Sequence, residues 1–339
     1  MMDFCRTKSE YGGFLPLELN PGKEYFASYE DKLCRFNSVK AALDNLIKCL
    51  GLKKIYIPFY YCPSTTEAIR RTGIEVKFYH IDENLEPVDV PDESGSMVIL
   101  VDYFGVRSEQ VNKKAVGFLK ADVIIDRAHG FYTAPVIADR VHNVYSAKKF
   151  FGIPDGAYVI SKAVAFDVEL PVDAHGYAEY LLTAYEEGTN AAYQLKKEVD
   201  AKLGGNYGNM SKLSIGLLKN VDYDRVRQRR TDNYKVLYNA FGDVNELSLP
   251  DACAAYQFPL LISEKGKLIK EKLIEKRIFV STLWSGNELR ENGNSFELNM
   301  MKNAVFLPMD QRYDERDMEY IIYVLKEMLV EVGGKEENE

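Results

Sequence analysis

The sequence predicts an α/β fold, with a mostly parallel central sheet flanked by helices and a smaller C-terminal α+β unit. Three observations carry this reading. Apolar strand-like runs alternate with amphipathic helical stretches over residues 38–161. Two of those runs, MVILVDYF (97–104) and ADVIIDRA (121–128), are apolar almost throughout, as strands covered on both faces must be. Long polar helices then fill 178–239, and short strands and helices return from Ala254.

In chain order, SVKAALDNLIKCLG places Ala42, Leu43, Leu46, Ile47, Cys49 and Leu50 on one stripe. Ser38 is its N-cap and Gly51 its stop. KKIYIPF is a short strand closed by Pro58; a helical pattern over 64–72 stops at Gly73, and EVKFYHI follows as the next strand. VHNVYS (141–146) and the reverse run GAYVIS (156–161) complete the strands of the first half. In the polar region, RVRQRR from Arg225 reads as a solvated helix face. YQFPLLIS, IKEKLIEKRIFVSTLW, AVFLPM and the amphipathic ERDMEYIIYVLKEMLVEV form the closing α+β pattern. The expected division is a large unit over residues 1–235, a small one over 236–332 and an acidic tail over 333–339.

With 46% hydrophobic and 28% charged residues in 339, the chain can bury a sizeable core, which excludes wholesale disorder. A net charge of −8 without a Lys/Arg block argues against nucleic acid and anionic membranes as partners and favours small molecules. Cys5, Cys34, Cys49, Cys62 and Cys253 show no CxxC spacing, so they read as reduced thiols of a cytoplasmic protein. The N-terminal residues contain no apolar signal region, and no stretch has the roughly 20 apolar residues of a membrane span. His80, His142 and His175 have no metal-ligand spacing.

Three stretches carry candidate chemistry. In YSAKKFFGIPDGA, the pair Lys148-Lys149 follows an apolar strand and precedes Phe150, Phe151 and a glycine-rich turn. A lysine pair alone is ordinarily a solvated surface feature. An amine held near a packed interior instead loses solvation and can form a Schiff base with a carbonyl. Ser146 could offer its hydroxyl to a phosphate. In IIDRAHG, Asp126 ends an apolar strand, where open α/β sheets place ligands; it either caps the next segment, pairs with Arg127, or pairs with a protonated pyridine nitrogen. His129 could lie beside the same ring. In FNSVKAA a loop opens into a helix, so the amides at Ser38 and Val39 suit an anion, although an N-cap at Ser38 explains the same residues. Tyr60 and Tyr61 follow Pro58 and either stack on a flat ring or line the core.

Taken in order, NSVKAAL, PFYYCPST, VDYFG, IIDRAHG and YSAKKFFGIPDGA resemble the fold type I pyridoxal-phosphate enzymes, most closely the DegT/DnrJ/EryC1/StrS sugar aminotransferases. AAYQFPLLI, RIFVSTLW and AVFLPMDQRYDERDMEYIIYVL resemble that group's small domain. The resemblance implies pyridoxal 5'-phosphate as cofactor, with Asp126 on the pyridinium nitrogen and His129 near the phenolic oxygen. It implies Ser146 and the amides at Ser38 and Val39 around the phosphate, with Tyr61 in the same pocket. It implies covalent attachment through Lys149, from the Ser146-x-x-Lys149-x-x-Gly152 spacing; counting back from Asp155-Gly156 favours Lys148 instead. Asn233 is a candidate for the asparagine with which such enzymes reach the partner subunit's phosphate. The sequence departs from the group at Asn37-Ser38-Val39-Lys40, where Gly-Thr or Gly-Ser is usual, and at Arg127, where a small residue is usual.

The implied activity is amino transfer from an amino acid, glutamate foremost, to a nucleotide-linked keto sugar, in a homodimer. Sugar dehydration is the alternative within the group, but members that do it usually carry histidine in place of the lysine. A protein of this fold that binds ligand without turnover is the third reading.

Overall fold

A computed structural model describes residues 12–162, 174–251 and 253–333. Cys5 and the acidic tail beyond Gly333 lie outside the described residues. The first strand, β1 (Leu33–Phe36), leads into α1 (Val39–Leu50). As expected, Ser38 caps that helix by accepting from the Ala41 N–H at 3.1 Å, and Gly51 ends it at φ 62°, a left-handed position that suits glycine. Ala42, Leu43, Leu46 and Ile47 are buried, while Cys49 is exposed: the buried stripe is narrower than the apolar pattern.

The chain continues through β2 (Lys54–Pro58), α2 (Pro63–Arg71), β3 (Glu75–Tyr79), β4 (Ser96–Val101), α3 (Ser108–Gly117), β5 (Asp122–Arg127), β6 (Val141–Ser146) and β7 (Ala157–Ser161). These strands form one seven-stranded sheet in the order β1-β7-β6-β5-β4-β2-β3. β7 runs antiparallel to both neighbours, and the other pairings are parallel. β4, β6 and β7 are buried at every position, as strands covered on both faces are, and the buried polar His142 and Asn143 of β6 are hydrogen-bonded.

Helices α4 (Glu179–Glu187), α5 (Tyr193–Leu203), α6 (Lys212–Leu218) and α7 (Tyr223–Phe241) follow. The closing part is β8 (Phe258–Leu261), α8 (Gly266–Glu275), α9 (Asn287–Asn292), α10 (Ser295–Asn303), β9 (Ala304–Leu307) and α11 (Glu315–Gly333), with β8 and β9 paired antiparallel. Its core is continuous with that of the large sheet: Phe104, beyond β4, meets Phe306 of β9 at 4.8 Å between ring centroids. No helix among the described residues is long and apolar enough to cross a membrane.

The sheet fixes where chemistry can gather. Because β1, β2, β4, β5 and β6 all point the same way, residues 37–39, 59–62, 102–107, 126–133 and 146–149 share one edge, the carboxyl edge where α/β sheets bind ligands.

Candidate active site

Strand alternation sends the side chains of Asp126 and Arg127 to opposite faces. Arg127 is fully buried with Asp102 at 3.4 Å and Asn143 at 3.2 Å, and it also bonds Asn112. Asp126 is thereby left without its neighbour as counter-ion. One carboxylate oxygen accepts the Ala128 N–H at 2.8 Å, and the other accepts the Tyr61 hydroxyl at 2.6 Å. Tyr61 therefore presents its hydroxyl as a donor to Asp126. Tyr60 is wholly buried between Tyr103 and Trp284 and belongs to the core.

The lysine pair divides in the same manner. The turn after β6 is closed by the Phe150 and Phe151 N–H groups on the Ala147 carbonyl, and it points the two lysines apart. Lys148 Nζ meets Asp200 of α5 at 2.8 Å and lies over the Tyr180 ring. Lys149 Nζ lies 2.7 Å from His129 Nε2. Lys149 is exposed as a residue, while its amine lies against His129 and over the Tyr256 ring. Burial pushes this amine below the usual lysine range, against the pull of Cys62 and Asp126. Burial, and then the Lys149 charge, hold His129 well below the usual histidine range. A neutral His129 accepts from Lys149 on Nε2 and carries its own proton on Nδ1, an atom with no partner among the described residues.

The third stretch lies on the same edge. Register places Phe36, Ala157 and Ser146 side by side across β1, β7 and β6, so the turn into α1 faces the Ser146 hydroxyl across about 10 Å. The Ser38 hydroxyl serves as N-cap. The N–H groups of Val39 and Lys40 and the Ser146 hydroxyl have no hydrogen-bond partner among the described residues, which leaves three donors aimed at one edge. Asn37 anchors the turn through its side-chain amide on the Asn206 carbonyl at 2.6 Å. Asn233 does not join this group. It is buried, and its amide is committed to the carbonyls of Met309, Asp310 and Tyr313 within its own chain.

Several contributors arrive from distant sequence. His129 is stacked by Tyr256 at 4.7 Å and Trp284 at 5.4 Å, and Tyr256 also lies under the Lys149 amine at 5.6 Å. Arg230, which belongs to the run read as solvated, is buried instead. It covers the Phe150 ring at 4.5 Å and binds the carbonyls of Ala255 and Tyr256, joining α7 to the lysine turn. Gly105 stands at φ 79°, and a Cβ there would come within 2.3 Å of the His129 carbonyl oxygen. Gly105→Ala should therefore displace the His129 loop and destabilise the fold by about 2–4 kcal/mol, the cost of overpacking plus a left-handed alanine. Chemical denaturation checks this, and an unchanged midpoint would show that the close approach relaxes freely.

No family model and no curated relative matches the chain. Solved structures do. Spr1654 from Streptococcus pneumoniae, designated a sugar aminotransferase, aligns over 88% of each chain at 17% identity with a TM-score of 0.62. The chain has the fold of these enzymes. A DegT DnrJ EryC1 StrS aminotransferase from Brucella abortus aligns over 89% of each chain at 17% identity with a TM-score of 0.55. GDP-4-keto-6-deoxy-D-mannose-3-dehydratase from E. coli, solved with hydrated PLP, matches at 16% identity over 88% of this chain and 89% of its own, with a TM-score of 0.58. The α/β architecture expected from the sequence is thus that of the sugar aminotransferase fold.

Proposed function

We propose that the chain is a pyridoxal-phosphate-dependent aminotransferase of the DegT/DnrJ/EryC1/StrS type, acting from an amino acid donor on a keto sugar. The observation that carries the reading is the Lys149 amine: depressed in basicity, 2.7 Å from His129, and grouped with Asp126 on the carboxyl edge. The donor set fits the cofactor. An accessible amine suits an aldehyde, a doubly anchored carboxylate suits a ring nitrogen, and the unpaired donors of Val39, Lys40 and Ser146 suit a phosphate.

When bound, pyridoxal phosphate supplies a reactive aldehyde and an electron-withdrawing ring. Asp126 would face the ring nitrogen and hold a proton there by charge. The α1 N-terminus and the Ser146 hydroxyl would hold the phosphate, aided by the helix dipole. Lys149 Nζ would hold the cofactor through its aldehyde and, as a free amine, would be the group placed to move a proton at the amino-bearing carbon. His129, packed by Tyr256 and Trp284, keeps Lys149 oriented. Lys148, tied to Asp200, is engaged away from this group, which supports Lys149 as the attachment point.

The test is a spectrum of the purified protein with cofactor, titrated with glutamate and then with nucleotide-linked keto sugars. Glutamate should convert the cofactor to its pyridoxamine form, and a keto sugar should reverse it. Discharge only by simple 2-oxo acids would remove the sugar from the reading. Release of water from the sugar without net amino transfer would favour dehydration, a reaction housed in the same fold by the E. coli enzyme. The reading includes a large unit over 1–235, a small one over 236–332, and a homodimer in the cytoplasm. Sedimentation showing a fully active 38.7 kDa monomer would overturn the dimer.

A further inference from the structure

Tyr61 lies just beyond β2, two strands away from β5 in the sheet order, so its side chain must reach over the end of β4 to meet Asp126. The loop that carries it is held from several sides. The Tyr61 N–H donates to the Phe59 carbonyl at 3.0 Å, and the Tyr103 hydroxyl, from the turn after β4, donates to the Tyr60 carbonyl at 2.8 Å. Immediately afterwards, the Cys62 carbonyl accepts the Thr65 and Thr66 N–H groups as α2 begins. The phenol thus comes to Asp126 from a rigid support, and it is itself almost entirely buried.

From this geometry we infer that Tyr61 is the positioning residue for Asp126, fixing the carboxylate so that its remaining lone pairs face the ring nitrogen; the inference rests on the cofactor reading above. A carboxylate rotates about a single soft torsion, and one hydrogen bond leaves that torsion partly free. Here each oxygen has its own donor, Ala128 N–H on one and Tyr61 hydroxyl on the other, which fixes the plane. Burial, and then the Asp126 charge, raise the Tyr61 hydroxyl well above the usual tyrosine range, so the phenol stays protonated and acts as a donor throughout the working pH. Tyr61 does not touch the reacting atoms; its effect passes through Asp126.

A double-mutant cycle on cofactor affinity tests this. Tyr61→Phe keeps the ring and removes the donor. It should weaken pyridoxal phosphate binding by about tenfold, the scale of one lost hydrogen bond to a charged group. In Tyr61→Phe, the ¹⁵N resonance of labelled cofactor should also move toward its unprotonated position. Asp126→Asn should weaken binding more, and adding Tyr61→Phe to it should cost nothing further, because the group it positions is already gone. Equal losses from Tyr61→Phe in both backgrounds, or an unmoved resonance, would overturn the inference and leave Tyr61 as wall. Should Tyr61→Phe alone fail to fold, Asp126→Asn with and without it still reads the coupling, since no carboxylate is then left without a donor; a further loss there overturns the inference. If the unmodified protein does not bind pyridoxal phosphate, or Asp126→Asn binds it unchanged, the cofactor reading itself fails.

Discussion

Lys149→Ala should abolish covalent capture of pyridoxal phosphate and lower turnover by about a thousandfold or more, whereas Lys148→Ala should still capture it. The magnitude follows from losing two roles at one atom, since in the proposed reading the amine that joins the cofactor would also carry the proton in the chemical step. The contrast follows from the turn after β6, which sends one lysine to His129 at 2.7 Å and the other to Asp200 at 2.8 Å. Borohydride reduction followed by peptide mapping reads the outcome directly, with the pyridoxyl group expected on Lys149. Because burial depresses this amine, capture should already be efficient at pH values where an ordinary surface lysine is almost wholly protonated. The pyridoxyl group on Lys148 would reverse the assignment of the two lysines, and its absence from both would remove the enzyme reading altogether.

The parts of this molecule legible in the sequence are those whose cause is local. α1 was readable because its cap, stripe and stop lie within one short segment, and β4 and β5 because burial on both faces leaves no polar alternation to confuse them. β1 was not. It has four residues, one of them Arg35, and its place is set by pairing with β7, from Leu33↔Ile160 to Phe36↔Ala157. Arg230 was hidden for a related reason: Arg225 and Arg227 in the same run are exposed, and the approach of Phe150, Gln311 and the 255–256 carbonyls distinguishes their neighbour. Tyr256 and Trp284 carry no local mark of their contact with His129, since both reach it from the far end of the chain. Tyr61 could be placed near the site, but its role could not be read, because the sequence does not show that β2 and β5 are separated by a single strand.

Asp126→Asn should fold, bind pyridoxal phosphate with reduced affinity, and lose turnover by about a hundredfold or more, the scale of removing one preorganised electrostatic partner from the reacting centre. The carboxylate stands at the end of β5 with Arg127 turned to the opposite face, so its charge is not neutralised by its neighbour. An amide of the same shape cannot hold the ring-nitrogen proton by charge, and the ring then withdraws electrons less strongly. The substitution has a structural cost as well. Asn offers one carbonyl oxygen where Asp126 used two, so either the Ala128 N–H or the Tyr61 hydroxyl loses its acceptor, at about 1–3 kcal/mol for a buried group. That cost is read separately by denaturation, and the catalytic loss is measured with saturating cofactor in the folded variant. Near-unchanged turnover under those conditions would reduce Asp126 to a cap on the segment after β5, held by Ala128 and Tyr61 for stability alone.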